Sequence, residues 1–427
     1  MRNMNFERIF TYIGIAAIIL LLFGLGGWYI FLNQSRSAIE GESTARGFAI
    51  GIPSFVGSRG STAANTSPEN TNSANSAFAR LLGVGQPALN DATTIQSNAT
   101  REETRAPRFW RVTATPVAGA AFLATSSILR YVERGSGHVF EADPFTGSVT
   151  RISNTLTPRV YEASLGGGTS VILRTIEKGA PVTFGGTATT TTPNGISELE
   201  LTNLGSAIED IVSFANTPEI LMIADAGASS HLIRSHVDGS TPKQLLSLPG
   251  GDFKIQLAGE NIVLTERAGS GILGNAYRVA SSLIPLVKNV PGLITRVQAQ
   301  SENVLYSSDD GTRLRLFTNT TNANQKEISL ATIAEKCAWA PQGTVAYCAG
   351  PQGTIPTMFL DRWYRGEIHT EDVWYKIDTA SAKVDTLFRV DSSYVIDVEN
   401  PTVDPTGKYI LFQNARDKSL WVLRITE

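Results

Sequence analysis

The chain has 427 residues, 42% of them apolar and only 18% charged, with a formal net charge of -3. That balance argues against a nucleic-acid binder, which would carry a basic field, while the length allows one large domain with accessory segments. The 38 glycines and 4 methionines, beside abundant Thr, Val and Ile, favour turns and strands over helices. Two cysteines and 4 scattered histidines do not assemble a structural zinc site, and no cofactor is expected.

Residues 1–8 form a short N-terminus containing Arg2 and Arg8. From Ile9 to Leu32 there is no charged residue. As a helix this stretch would reach about 36 Å, enough to cross a hydrocarbon core of about 30 Å with some tilt. Tyr12 near one end and Trp28 and Tyr29 near the other suit the interface. Residues 9–32 are therefore expected to be a transmembrane helix, with the membrane as a partner. The alternative is a secretory signal cleaved near Ser35-Arg36-Ser37. The slight excess of Lys and Arg before the span places the N-terminus in the cytoplasm and everything after Leu32 outside, in a periplasm or at the cell surface.

Residues 33–106 are rich in Ser, Thr, Asn, Ala and Gly, as in Ser61 to Ser76. Such a segment buries too little apolar surface to offset its ordering entropy. It is expected to be a flexible linker, with a root-mean-square reach of about 45 Å as a random coil.

From 107 to 427 the pattern is short strands and turns, with a loose repeat. Copies run through Val139–Ile152, Pro158–Leu173, Ile220–Leu248, Phe253–Val279 and Val297–Phe317. The clearest are Cys337–Cys348, continued by Val373–Thr379, and the closing Pro401–Ile425. About seven units whose sheets need neighbours on both faces indicate an all-β fold, a β-propeller of about seven four-stranded blades. The last unit supplies only three strands. Phe109 to Pro116 (Phe-Trp-Arg-Val-Thr-Ala-Thr-Pro) reads much like Leu420 to Thr426, so it is expected to add the outer strand of the final blade and remove an exposed edge.

Trp339-Ala-Pro-Gln-Gly-Thr-Val-Ala-Tyr347 and Val403-Asp-Pro-Thr-Gly-Lys-Tyr-Ile-Leu-Phe412 resemble the blade-turn phrase of TolB-like and related WD-repeat-like propellers. The resemblance spans about 107 to 427. It implies a binding platform, in some cases a non-catalytic partner of a peptidase domain, and assigns no site residue.

No Gly-x-Ser-x-Gly elbow and no phosphate-binding Gly-Lys-Ser/Thr occurs. His231 and His236 would face opposite sides of a strand, and Asp309-Asp310-Gly311 reads as a solvated hairpin turn. Cys337 and Cys348 flank one hairpin, and outside the cytoplasm a disulfide is favoured over two buried thiols. Thr187 to Pro193 reads as a flexible polar insertion.

A longer insertion lies between Cys348 and Val373. It concentrates Met358, Phe359, Arg362, Trp363, Tyr364 and Arg365, residue types that dominate interaction hot spots. These six are the candidates for partner contact. The competing reading has the loop fold back and pack on its own propeller.

The sequence thus predicts a single-pass, membrane-anchored propeller outside the cytoplasm, acting as a non-enzymatic protein-binding or assembly module of a bacterial envelope. Its partner would be an envelope protein or surface ligand. An enzyme or carbohydrate-binding protein that uses the propeller face is one alternative, since carboxylates from different blades leave no motif. A structural adhesin is the other.

Overall fold

The computed structural model describes residues 105–191, 196–299, 301, 303–320 and 323–426. The expected transmembrane helix (9–32) and all but the last two residues of the expected linker lie outside them. Among the described residues, no helix is long and apolar enough to cross a membrane.

The described residues form seven four-stranded sheets, each antiparallel, arranged as the blades of a propeller. Blades 1 to 6 run over residues 117–151, 160–205, 208–248, 253–291, 294–328 and 337–389. Blade 7 takes three strands from 398–424 and its fourth from Phe109–Thr113. Strand position explains the sequence pattern. The second strand of a blade is covered on both faces, so Val304–Asp309 and Tyr409–Asn414 are buried at every residue instead of alternating. Outer strands such as Val149–Arg151 are exposed throughout.

Every junction between neighbouring blades holds its own apolar cluster, from blades 1 and 2 around the ring. The cluster between blades 7 and 1 joins Leu411, Leu420 and Val422 to Val117, Leu129 and Tyr131. The closing strand pairs Phe109 with Leu423, Trp110 with Val422 and Arg111 with Trp421. Phe109 stacks on Trp421 at 4.9 Å and lies 5.4 Å from Phe388 of blade 6.

The turn in Val403-Asp-Pro-Thr-Gly-Lys is held by a buried carboxylate. Asp404 accepts from the backbone N–H of Lys408 and Tyr409, both at 2.7 Å, and from Ser127 of blade 1 at 2.6 Å. Gly407, at φ +72, occupies the left-handed region that closes the turn without a Cβ penalty. Thr187 to Thr191, expected to be part of a flexible insertion, instead continue the strand Ala180–Thr191 and pair with Ser197–Gly205.

Cys337 and Cys348 sit directly opposite each other in the first hairpin of blade 6 and form a fully buried disulfide. Closing so short a loop stabilises by about 2 to 3 kcal/mol in the chain-entropy model. Cys348→Ser is accordingly expected to lower the melting temperature, and alkylation of the unreduced, denatured protein should label neither thiol. Full labelling without reduction would contradict the bond.

Candidate functional site at the channel mouth

Because the strands of each blade alternate in direction, two sets of turns emerge on one face. These are the turns that enter the innermost strands and those that join second to third strands. The long insertion of blade 6 belongs to the second set. It carries a short helix, Phe359–Tyr364, whose Phe359, Leu360 and Trp363 are buried.

Four blades hold this helix across the face. Asp361 Oδ1 accepts from the Ser270 N–H of blade 4 at 2.9 Å. The Leu360 N–H donates to Asp309 of blade 5 at 2.8 Å, and Asp309 also accepts from Ser270 Oγ at 2.7 Å. Tyr364 donates its hydroxyl to Glu335, which precedes the first strand of blade 6. Trp363 Nε1 donates to Asp397, at the entry to blade 7, at 2.9 Å. The Trp363 side chain packs with Leu314, Ile333, Phe359, Leu360 and Ala415.

This placement gives the six partner-contact candidates different surroundings. Phe359 and Trp363 belong to the molecule's own core, because a one-turn helix laid across the mouth must bury one face. Tyr364 is half-buried against Glu335. Met358 stays 40% exposed, and Arg362 and Arg365 lie at the surface beside Glu367, at 3.6 and 2.9 Å. Asp309 is also corrected. It is 1% exposed and serves as an anchor, not as a solvated turn.

At the same mouth, charged groups converge from innermost and second strands and from the turns beside them. Glu162 of blade 2 pairs with Arg174 at 2.8 Å. Arg267 of blade 4 reaches Asp252 at 2.9 Å and Asp210 of blade 3 at 3.3 Å. Arg296 of blade 5 donates to the Glu335 carbonyl at 3.1 Å, leaving its Nε buried without a hydrogen-bond partner. Lys254 of blade 4 is exposed, and its charge acts on both Asp210 and Glu335, which belong to different blades.

The titration of these groups follows from their surroundings. Burial raises the Asp210 carboxyl, and Lys254 and Arg267 offset only part of that. Burial also pushes Glu335 upward, but Lys254, Arg296, the Tyr364 hydroxyl and Arg267 outweigh it and hold the carboxyl below its ordinary range. The Tyr364 phenol is raised well above its ordinary value by burial and then by Glu335. At neutral pH, Tyr364 is therefore a donor to an ionised Glu335. Among the described residues, no group of three or more His, Cys, Asp and Glu side chains is placed to hold a metal ion.

Sequence reasoning missed Asp210, Lys254, Arg267, Arg296 and Glu335. Each comes from a different turn or strand, and no spacing along the chain marks them.

No family model and no curated protein matches this sequence. Among solved structures, similarity extends to virginiamycin B lyase from Staphylococcus aureus, at 14% identity and TM-score 0.48, covering 74% of this chain and 98% of that one. The β-propeller domain of Cps50 (Swd1) from Myceliophteria thermophila is similar at 8% identity and TM-score 0.49, covering 74% of this chain and 100% of that one. TolB from Acinetobacter baumannii is similar at 11% identity and TM-score 0.37, covering 59% of each chain. At these values no residue, ligand or activity passes from those proteins to this chain.

Proposed function

We propose that this protein is a non-catalytic binding module, and that its channel mouth takes an acidic segment of a protein partner. The observation that supports this reading is the unmet donor capacity there. Lys254 is exposed to the mouth, and the neighbouring Arg267 and Arg296 add positive charge around it. A carboxylate of a partner offers Lys254 an acceptor, and charge-assisted hydrogen bonds in a partly enclosed site are strong. The carboxylates already present are engaged: Glu335 by Tyr364, Asp210 by Arg267 and the Ile255 N–H, and Glu162 by Arg174. On this reading residues 9–32 anchor the propeller outside the membrane, and the segment from residue 33 up to the propeller gives it reach. The disulfide accords with an oxidising compartment.

The test uses fluorescent peptides rich in Asp and Glu and their Asn/Gln counterparts, titrated by anisotropy. The wild-type protein is expected to bind the acidic set preferentially, with affinity falling as salt rises. Lys254→Met should weaken it about tenfold in protein that remains folded, as its circular dichroism will show. Equal binding of both sets, or an unchanged affinity in Lys254→Met, would contradict the proposal.

A second reading, catalysis at the same mouth, is favoured by Asp210 alone. Its raised carboxyl holds a proton at a pH where exposed carboxylates have lost theirs, as a general acid requires. Turnover of a supplied substrate that disappears in Asp210→Asn, with peptide binding retained, would favour that reading.

A further inference from the structure

The large apolar side chains that stand in solvent are gathered on one face of the propeller. Nine are exposed among the described residues. Six of them (Leu156, Ile272, Leu273, Met358, Tyr394 and Val395) lie on or beside the turns of the channel-mouth face. Phe145 is on the opposite face, and Val149 and Ile284 are on outermost strands. Exposed apolar residues scattered singly need no explanation, but a group on one face marks a contact surface.

Three of the six border a single turn. The Gly271 N–H donates to the Asp309 carbonyl at 2.8 Å, and the Met358 N–H donates to the Gly311 carbonyl at 2.9 Å. Ile272 and Leu273 of blade 4 and Met358 of the blade 6 insertion thus meet at the Asp309–Gly311 turn of blade 5. Ile272 and Leu273 are 62% and 60% exposed. Met358 has φ +52, in the left-handed region that residues other than glycine rarely adopt. Arg362 and Arg365 follow it at i+4 and i+7, on the side of the helix opposite the buried Phe359, Leu360 and Trp363.

Basic groups therefore adjoin the apolar ones. Arg362 and Arg365 share the outward side of the helix with Met358. The turn that carries Ile272 and Leu273 begins near Arg267, whose N–H donates to the Asp252 carbonyl at 2.9 Å, and Asp252 stands two residues before Lys254. The apolar group is continuous with the basic mouth through this one turn of blade 4.

We propose that the segment taken by this face is amphipathic, with its acidic side chains at the mouth and a large apolar side chain seated on Ile272, Leu273 and Met358. The inference rests on the acidic-segment reading above and adds the half of recognition that charge does not specify. A purely polar acidic chain would leave three apolar side chains in water, and charge attraction alone fixes no register. An apolar anchor fixes one. A flexible thioether beside two branched side chains adapts to either Leu or Phe in that position. A second copy of this chain fits less well. A symmetric contact through the same surface would bring the Arg362 and Arg365 side chains of both copies together, and like charges oppose it.

The test uses the full chain and two fluorescent acidic peptides of equal charge, each beside its Asn/Gln counterpart. One peptide carries Leu and Phe among its Asp and Glu residues, and the other carries Ser in their place. The wild-type protein is expected to bind the Leu/Phe acidic peptide about tenfold more tightly than the Ser one, as partial burial of one large apolar side chain provides. Ile272→Ser/Leu273→Ser and, separately, Met358→Ser should lower that gain, while Phe145→Ser on the opposite face should keep it. All the substituted side chains are exposed, circular dichroism checks the fold, and either ridge variant decides if the other fails to fold. Equal affinity of the two acidic peptides, with both still preferred over their Asn/Gln counterparts, would overturn the apolar anchor and leave the acidic-segment reading standing. Loss of the acidic preference itself would overturn both. A gain that survives undiminished in the ridge variants would overturn the site. A dimer of the free chain that Ile272→Ser/Leu273→Ser dissociates would assign the ridge to a second copy and overturn the proposal as well.

Discussion

Trp363→Ala is expected to destabilise the propeller by about 3 to 5 kcal/mol, in the range of large aromatic truncations in a core. Trp363 is 0% exposed and closes the apolar cluster beneath the insertion. Its indole N–H also satisfies Asp397, so truncation leaves both a cavity and a buried acceptor short of a donor. The loss should not stay local. The same helix is tied to Ser270, Asp309 and Glu335, so a loosened Trp363 frees four blades of a common strap. Trp363→Phe keeps most of the volume and loses the hydrogen bond, and is expected to cost less. Thermal and urea unfolding of the two variants measure both effects. A Trp363→Ala protein as stable as wild type would mean that the helix does not pack as described.

Removal of the closing strand should have an effect of comparable size. A chain beginning at residue 105 retains Phe109–Thr113 and the hydrogen bond from the Ala106 N–H to the Phe145 carbonyl at 2.8 Å. A chain beginning at residue 115 loses the fourth strand of blade 7, exposes the edge of Leu420–Arg424, and removes the ring of Phe109 from Trp421 and Phe388. An unpaired edge of this kind invites association between chains. The longer chain is expected to unfold cooperatively as a monomer, and the shorter to aggregate or melt many degrees lower. Indistinguishable melting of the two would show that the ring does not depend on its N-terminal strand.

The architecture was legible because it is written in local patterns. Pro-x-Gly turns mark the hairpins around Pro341 and Pro405, and the likeness of Phe109–Pro116 to Leu420–Thr426 marks the strand that closes the ring. Two cysteines flanking one hairpin suffice to suggest their bond. The channel mouth was not legible, because Asp210, Lys254, Arg267, Arg296 and Glu335 meet only when five separate segments close the ring. Asp404 shows the intermediate case. Its phrase announces a turn, but only the fold shows its carboxylate accepting from Ser127 of the neighbouring blade. In the insertion, aromatic and basic residue types suggested contact with a partner. The spacing of Phe359, Leu360 and Trp363, one turn of helix with a single apolar side, was the signal that pointed inward instead.

Hydrogen exchange of the propeller with and without an acidic peptide locates the binding surface most directly. The account predicts slowed exchange around Lys254, Arg267 to Ser270, Arg296, Glu335 and the helix Phe359–Tyr364, with the outer strands unchanged. Protection confined to outer strands such as Val149–Arg151, or to the opposite face of the ring, would contradict it.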